Sequence, residues 1–171
     1  MDEPGIKDAQ TVAAGGRVLR RLIDGVQLQE MPNILTRNGV TTEVVRPEWD
    51  IGRVPIRHMI HVTLRAHAVS AWHCHHLQTD RIFVTDGALR IVLFDDREDS
   101  PTRGQLDVLQ LGRMRPATLL IPPYVWHGVQ NLESQASGFI NFFDHAYCYE
   151  DPDEWRLPQD TDAIPYRFTR G

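Results

Sequence analysis

The feature that most narrows the fold of this chain is a succession of short apolar runs, each stopped by turn-forming residues. Val40-Thr-Thr-Glu-Val-Val45 is rich in β-branched side chains and ends before Pro47, which is a strand signature. Residues 58–64 alternate, with Ile60, Val62 and Leu64 on one face and His61, Thr63 and Arg65 on the other. Residues 82–85 lead into Asp86-Gly87, the dipeptide of a tight hairpin, and 88–94 follow as its second arm. Residues 117–121, 125–132 and 138–143 continue the series. The 11 prolines fall mostly between the runs and argue against long helices. Short strands, Gly/Pro/Asp turns and no helical periodicity predict an all-β sandwich or barrel.

A length of 171 residues suits one well-cored domain and is short for two. The chain divides into an arm over 1–39, a barrel over 40–149 and a covering segment over 150–171, the last marked by Pro152, Pro158 and Pro165. Within the arm, 18–23 reads as a helical turn or an edge strand. Trp126 and Trp155 read as packing residues. A net charge of −5 without a run of Lys or Arg argues against a nucleic-acid groove. Arg17, Arg20 and Arg21 interrupt the best early apolar stretch, and no other segment is long enough to span a bilayer. The expectation is a cytoplasmic protein whose two cysteines, Cys74 and Cys148, are reduced and buried.

Three of the eight histidines crowd into Trp72-His-Cys-His-His76. On a strand, His73 and His75 share a face and Cys74 takes the other. Asp80 lies five residues past His75, and Gly87 seven past Asp80; downstream, Pro122-Pro-Tyr-Val-Trp-His127 leads to Asn131. These spacings resemble the two motifs of the cupin superfamily, with Asp80 where a glutamate is usual and Tyr124 in place of the turn glycine. The resemblance implies a cupin-type double-stranded β-helix, a jelly-roll barrel. It also implies one divalent ion held by His73, His75, Asp80 and His127, and imidazole and carboxylate suit Fe, Mn, Ni, Cu or Zn. The alternative is a polar cavity in which these groups hydrogen-bond without metal.

A second likeness is sharper. Phe94-Asp-Asp-Arg-Glu-Asp-Ser-Pro-Thr-Arg-Gly104 serves no obvious structural need. It resembles the Asp-x-Arg-x-x-Ser-Pro-Thr-x-Gly string of the dTDP-4-dehydrorhamnose 3,5-epimerases, cupin-fold enzymes of sugar nucleotides. Trp72-His73, Gln78 with Gly87, Ile121-Pro122 with His127-Gly128, Phe139 with Tyr147, and Asp160 with Ile164 are similar to further family segments. The resemblance spans roughly residues 36–166. It implies that His73 removes the proton beside the C4 ketone, that Asp160 orients it and that Tyr147 (or Tyr149) returns a proton from the opposite face. A ketone acidifies its neighbouring C–H, and an imidazole fixed in one tautomer is a suitable base near neutral pH.

The departures from the family pattern are informative. The family's Arg three residues before the base is Ser70 here, and its Lys seven before the turn Gly is Asp80. A metal could replace those lost cations as a Lewis acid. Arg37 and Glu43 loosely match a nucleotide-contacting segment. His61 and Arg65 are expected to line the cavity, Arg65 against a diphosphate, and Gln78 and Asn131 to touch substrate. His58, His67 and His145 read as surface or structural. The first functional reading is an epimerase or ketoisomerase acting on a nucleotide-activated 4-keto-6-deoxy sugar as a homodimer. The others are a metal-dependent cupin oxygenase or isomerase acting on a small carbonyl compound, and a non-catalytic sugar-binding cupin.

Overall fold

A computed structural model describes residues 10–14, 19 and 21–169. Val18 and Arg20 of the 18–23 stretch lie outside the described residues, and Ile23 is buried in the core. Twelve strands follow: β1 (Gln27–Glu30), β2 (Ile34–Thr36), β3 (Gly39–Thr41), β4 (His58–Leu64), β5 (Val69–Cys74), β6 (Asp80–Asp86), β7 (Ala88–Asp95), β8 (Leu106–Gly112), β9 (Ala117–Ile121), β10 (Val125–Asn131), β11 (Ser137–Phe143) and β12 (Trp155–Arg156). One 3-10 turn, Asp50–Gly52, precedes β4. Two five-stranded sheets run β1-β9-β6-β11-β4 and β12-β5-β10-β7-β8, and β2-β3 form a separate hairpin. All pairings are antiparallel, and most sequence neighbours lie in different sheets or are not paired, as a jelly roll requires.

The inner faces of the two sheets close one core. Ile82 and Val84, Leu89, Ile91 and Leu93, Leu109 and Leu111, and Leu119 and Ile121 supply it from four strands at alternate positions. A smaller cluster lies elsewhere: Trp72, Val92 and Phe94 pack beneath Leu157, Ile164, Tyr166 and Phe168 of the C-terminal segment, which therefore covers the barrel.

Three features differ from the sequence expectation. Asp86-Gly87 is not a hairpin turn, because β6 pairs with β9 and β11 while β7 pairs with β8 and β10. It is a corner between sheets. Gly87 has φ 74°, and a Cβ there would lie 2.0 Å from Ser137 Oγ, so the corner requires glycine. The arm is also part of the fold, since β1 pairs with β9 and Ile23 and Val26 are core residues. Cys74 is buried but Cys148 is exposed.

The Ser-Pro-Thr string, for which the sequence suggested no structural need, has one. Asp95 is fully buried. It accepts hydrogen bonds from Arg97 Nε (2.8 Å) and Nη2 (3.0 Å), Ser100 Oγ (2.5 Å) and Thr102 Oγ1 (2.6 Å). Arg97 Nη2 also donates to Asp24 O at 2.7 Å, and Asp24 N donates to Thr102 Oγ1 at 2.9 Å. The string ties the β7–β8 loop to the arm. Among the described residues, no helix is long and apolar enough to cross a membrane.

Candidate active site

A cavity of about 210 Å³ opens between the sheets. β5 contributes Ser70 and His73, β6 Asp80 and Ile82, and β10 His127; His75 lies just past the end of β5. Apolar walls come from Ile60 and Val62 of β4 and from Phe139 and Phe143 of β11, and Glu154 and Arg156 enter from the C-terminal segment. The register explains the convergence: His73 pairs with His127 on one side and with Arg156 on the other, so all three side chains share a face.

The cavity holds two groupings. In the first, His73 Nε2 meets Ser70 Oγ at 2.8 Å and Nδ1 faces Glu154 Oε2 at 3.8 Å. With Nδ1–H toward the carboxylate, Nε2 carries the lone pair that Ser70 O–H can approach. Burial pulls the His73 pKa below the ordinary histidine value despite the opposing pull of Glu154. In the second, His75 Nε2 and His127 Nε2 approach Asp80 Oδ2 at 3.5 and 3.3 Å, and Gln78 Nε2 donates to Asp80 Oδ1 at 2.7 Å. His75 Nδ1 faces Asp153 O at 2.6 Å and His127 Nδ1 faces Val125 O at 3.1 Å. A carbonyl can only accept, so both Nδ1 atoms carry hydrogen. When the rings are neutral, two nitrogen lone pairs then face a carboxylate oxygen with nothing to share. The cluster calls for a cation, either an added proton or a metal ion. Burial opposes the charge on His75, but the Asp80 hydrogen bond and charge outweigh it and push its pKa up to about 9. Asp80 is held well below the carboxylate range by the two imidazoles, against its burial.

The loop that presents His75 is fastened by one residue. Asp153 accepts the main-chain N–H groups of His76 (2.9 Å to Oδ1), Leu77 (2.8 Å to Oδ2) and Gln78 (3.0 Å to Oδ2). On the outer side, His76 stacks between Tyr124 and Trp155 at 4.4 and 4.3 Å between ring centroids. Trp155 is half exposed, and the packing expected of it is this stack on His76.

Several expected site residues fall elsewhere. Asp160 is exposed, and the carboxylate facing His73 belongs to Glu154. The expected four-ligand set becomes three that converge, because His75, Asp80 and His127 bring ligand atoms within 4.8 Å of one another and His73 is engaged by Ser70 and Glu154. The faces of β4 are the reverse of the expectation: Ile60 and Val62 line the cavity, while His61 and Arg65 are exposed. The apolar face goes inward because its burial is favourable. Asn131 is buried and saturated; it donates to the main chain of Leu64, Arg65 and Gln135 and accepts from Glu133 N and Ser137 Oγ. It holds turns together and does not line this cavity. Gln78 supports Asp80 in place of substrate. Glu43 pairs with Arg46 at 3.0 Å on the surface, and Arg37 is exposed in the β2–β3 turn. Tyr147 and Tyr149 are exposed, edge to face with each other at 5.2 Å, and neither lines the cavity. Sequence reasoning overlooked Glu154 and Arg156 as site residues, although their alternation around Trp155 is a strand-like signal.

A model of the dTDP-4-dehydrorhamnose 3,5-epimerase family matches residues 49–166, a span containing every residue that lines the cavity. The chain belongs to this family. A probable low-salt glycan biosynthesis epimerase of Haloferax volcanii, Agl13, is 34% identical over 139 residues, which cover 81% of this chain and 89% of that one. The spore coat polysaccharide biosynthesis protein SpsL of Bacillus subtilis is 31% identical over 150 residues, 86% of this chain and 97% of its own. Among solved structures, a dTDP sugar isomerase of Desulfovibrio desulfuricans matches with a TM-score of 0.76 and 29% identity, over 85% of this chain and 92% of that one. The family's fold is the cupin-type jelly roll expected from the histidine spacing.

Proposed function

We propose that the protein epimerises or isomerises a nucleotide-activated 4-keto-6-deoxy sugar, with His73 as the base that removes the proton beside the ketone. The supporting observation is the first grouping: an imidazole that lines the cavity, with Nε2 beside Ser70 Oγ and Nδ1 facing a carboxylate. The chemistry follows from that arrangement. Glu154 keeps the hydrogen on Nδ1, Nε2 takes the proton, and the imidazolium that forms is stabilised by the same carboxylate. The family resemblance implies Tyr147, or Tyr149, as donor of the returning proton, a role for which either exposed side chain would have to turn in over the bound sugar. The test is solvent-deuterium incorporation at the carbon beside the ketone, followed by mass spectrometry. His73→Asn is expected to abolish exchange in a folded protein; wild-type exchange in the variant removes His73 from this role.

A second element of the reading is a divalent ion at His75, Asp80 and His127. The tautomer argument supports it, and the donor set of two imidazoles and a carboxylate, each imidazole fixed by a carbonyl behind it, suits Fe, Mn, Ni, Cu or Zn. When bound, such an ion supplies Lewis-acid stabilisation of an enolate, the role of the cations absent at Ser70 and Asp80. The base and the ligand set are then different residues, so one site can hold both. Elemental analysis of protein purified without a His-tag is expected to find close to one ion per chain. Less than about 0.1 ion per chain, with activity indifferent to chelator, leaves the proton as the cation of the cluster.

The exposed Leu35 and Val40 of the β2–β3 hairpin, together with the edge of β4, unpaired among the described residues and carrying exposed Met59, support a homodimer.

A further inference from the structure

The cavity sets a size limit that the proposed substrate exceeds. At about 210 Å³ it is smaller than the roughly 300–1,000 Å³ that encloses a drug-sized ligand. A single sugar ring fits such a volume; a nucleoside diphosphate attached to it must lie across the rim. The diphosphate then needs a cation at the rim, and Arg65, the residue expected to supply it, is exposed and does not line the cavity. The cavity itself is lined by two carboxylates, Asp80 and Glu154. Among the cavity-lining residues one side chain carries a permanent positive charge, and it is Arg156.

Its placement is set by the fold. Arg156 on β12 pairs in register with His73 on β5, so the guanidinium rises from the face that carries the base. Its Nη2 donates to Glu154 Oε2 at 3.1 Å, and the same carboxylate oxygen faces His73 Nδ1 at 3.8 Å. The side chain is 62% exposed against 28% for Glu154, which puts the guanidinium outermost. No other hydrogen bond from the Arg156 side chain is made among the described residues. We infer that Arg156 is the substrate's diphosphate anchor, a specificity-determining residue that selects sugars carrying a nucleoside diphosphate and moves to β12 the positive charge that is missing at Ser70 and Asp80. This inference rests on the nucleotide-sugar reading above. A planar guanidinium tied on one side by a carboxylate still offers N–H pairs in a fork that fits two phosphate oxygens, which an ammonium cannot match.

Titration calorimetry of the whole chain tests this without turnover, using dTDP, UDP, GDP and free thymidine as probes. The wild type is expected to bind at least one diphosphate. Arg156→Ala is expected to weaken that diphosphate at least tenfold, and Arg156→Lys to an intermediate degree, with any binding of thymidine unchanged. Arg156→Gln, which keeps a polar head, serves if the alanine variant has a lowered melting temperature, and the same tenfold loss is expected. Equal affinity for the diphosphate in wild type and variants overturns the anchor and leaves the epimerase reading standing. A wild type that binds none of the three diphosphates removes the nucleotide-sugar reading, and the anchor with it.

Discussion

Glu154 and Asp160 show how a single residue's role depends on where the chain places it. Both are acids in the C-terminal segment, both are near enough in sequence to suit an orienting partner, and only Glu154 reaches His73. The expected outcome is asymmetric. Glu154→Gln should lower kcat by on the order of 100-fold, because the amide no longer favours the tautomer or stabilises the imidazolium. Asp160→Asn should stay within about twofold of wild type, since substitutions at exposed sites without partners have small effects. Steady-state kinetics on both variants checks this, and a reversed order of effects would return the orienting role to Asp160. Asn131 carries a similar lesson. Its spacing after His127 is that of a motif, but its main-chain bonds make it a brace, and a motif position can be kept for structure as readily as for chemistry.

At the scale of elements, the β7–β8 loop depends on one buried carboxylate. Asp95 receives donors from Arg97, Ser100 and Thr102, which outweigh burial and hold its pKa well below the usual carboxylate range. Removing the charge leaves Arg97 without its partner. Asp95→Asn is expected to cost about 3 kcal/mol and roughly 6–12 °C in Tm. The sign with pH follows from the direction of the shift. A depressed folded pKa gives stability that is present above the unfolded value of about 4 and is lost as pH falls below it. The gap between wild type and Asp95→Asn, measured by urea denaturation, should therefore be constant near neutrality and shrink below about pH 4. A gap that widens in acid would show that Asp95 is not held ionised by this network. The same element explains why the Ser-Pro-Thr string is unusual in composition: both hydroxyls and the guanidinium donate to the buried Asp95.

For the whole molecule, the exposed apolar residues of the β2–β3 hairpin and of β4 bear on assembly. Leu35 is 83% and Val40 57% exposed on the β2–β3 hairpin, and Met59 is 58% exposed on β4, whose outer edge pairs with no other strand among the described residues. An unpaired strand edge and an apolar hairpin are each surfaces that a second chain can cover. Analytical ultracentrifugation at micromolar concentration should give twice the chain mass of 19.6 kDa, and Leu35→Asp should shift the distribution toward monomer. A wild type sedimenting as a single chain would count against the dimer.

Some of this was legible in the sequence because it depends on local periodicity. Residues 58–64 and 117–121 alternate or run apolar over the spans that became β4 and β9, since side-chain period and β-branching act within a few residues. The placement of His73, His75, Asp80 and His127 in one cavity followed from motif spacing, because strand register turns fixed spacing into fixed position. What the sequence could not decide was pairing across distance. Alternation defines two faces of a strand without saying which one the other sheet covers, so His61 and Arg65 fell outside and Ile60 and Val62 inside. A Gly turn reports a reversal of the chain without reporting whether its arms pair, so Asp86-Gly87 became a corner. Glu154 and Arg156 reach the site only because β12 adds to β5 through two paired positions, Trp155 with Cys74 and Arg156 with His73. That contact joins residues about eighty apart in the chain, and no local rule of propensity or spacing extends that far; only closure of the barrel brings them together.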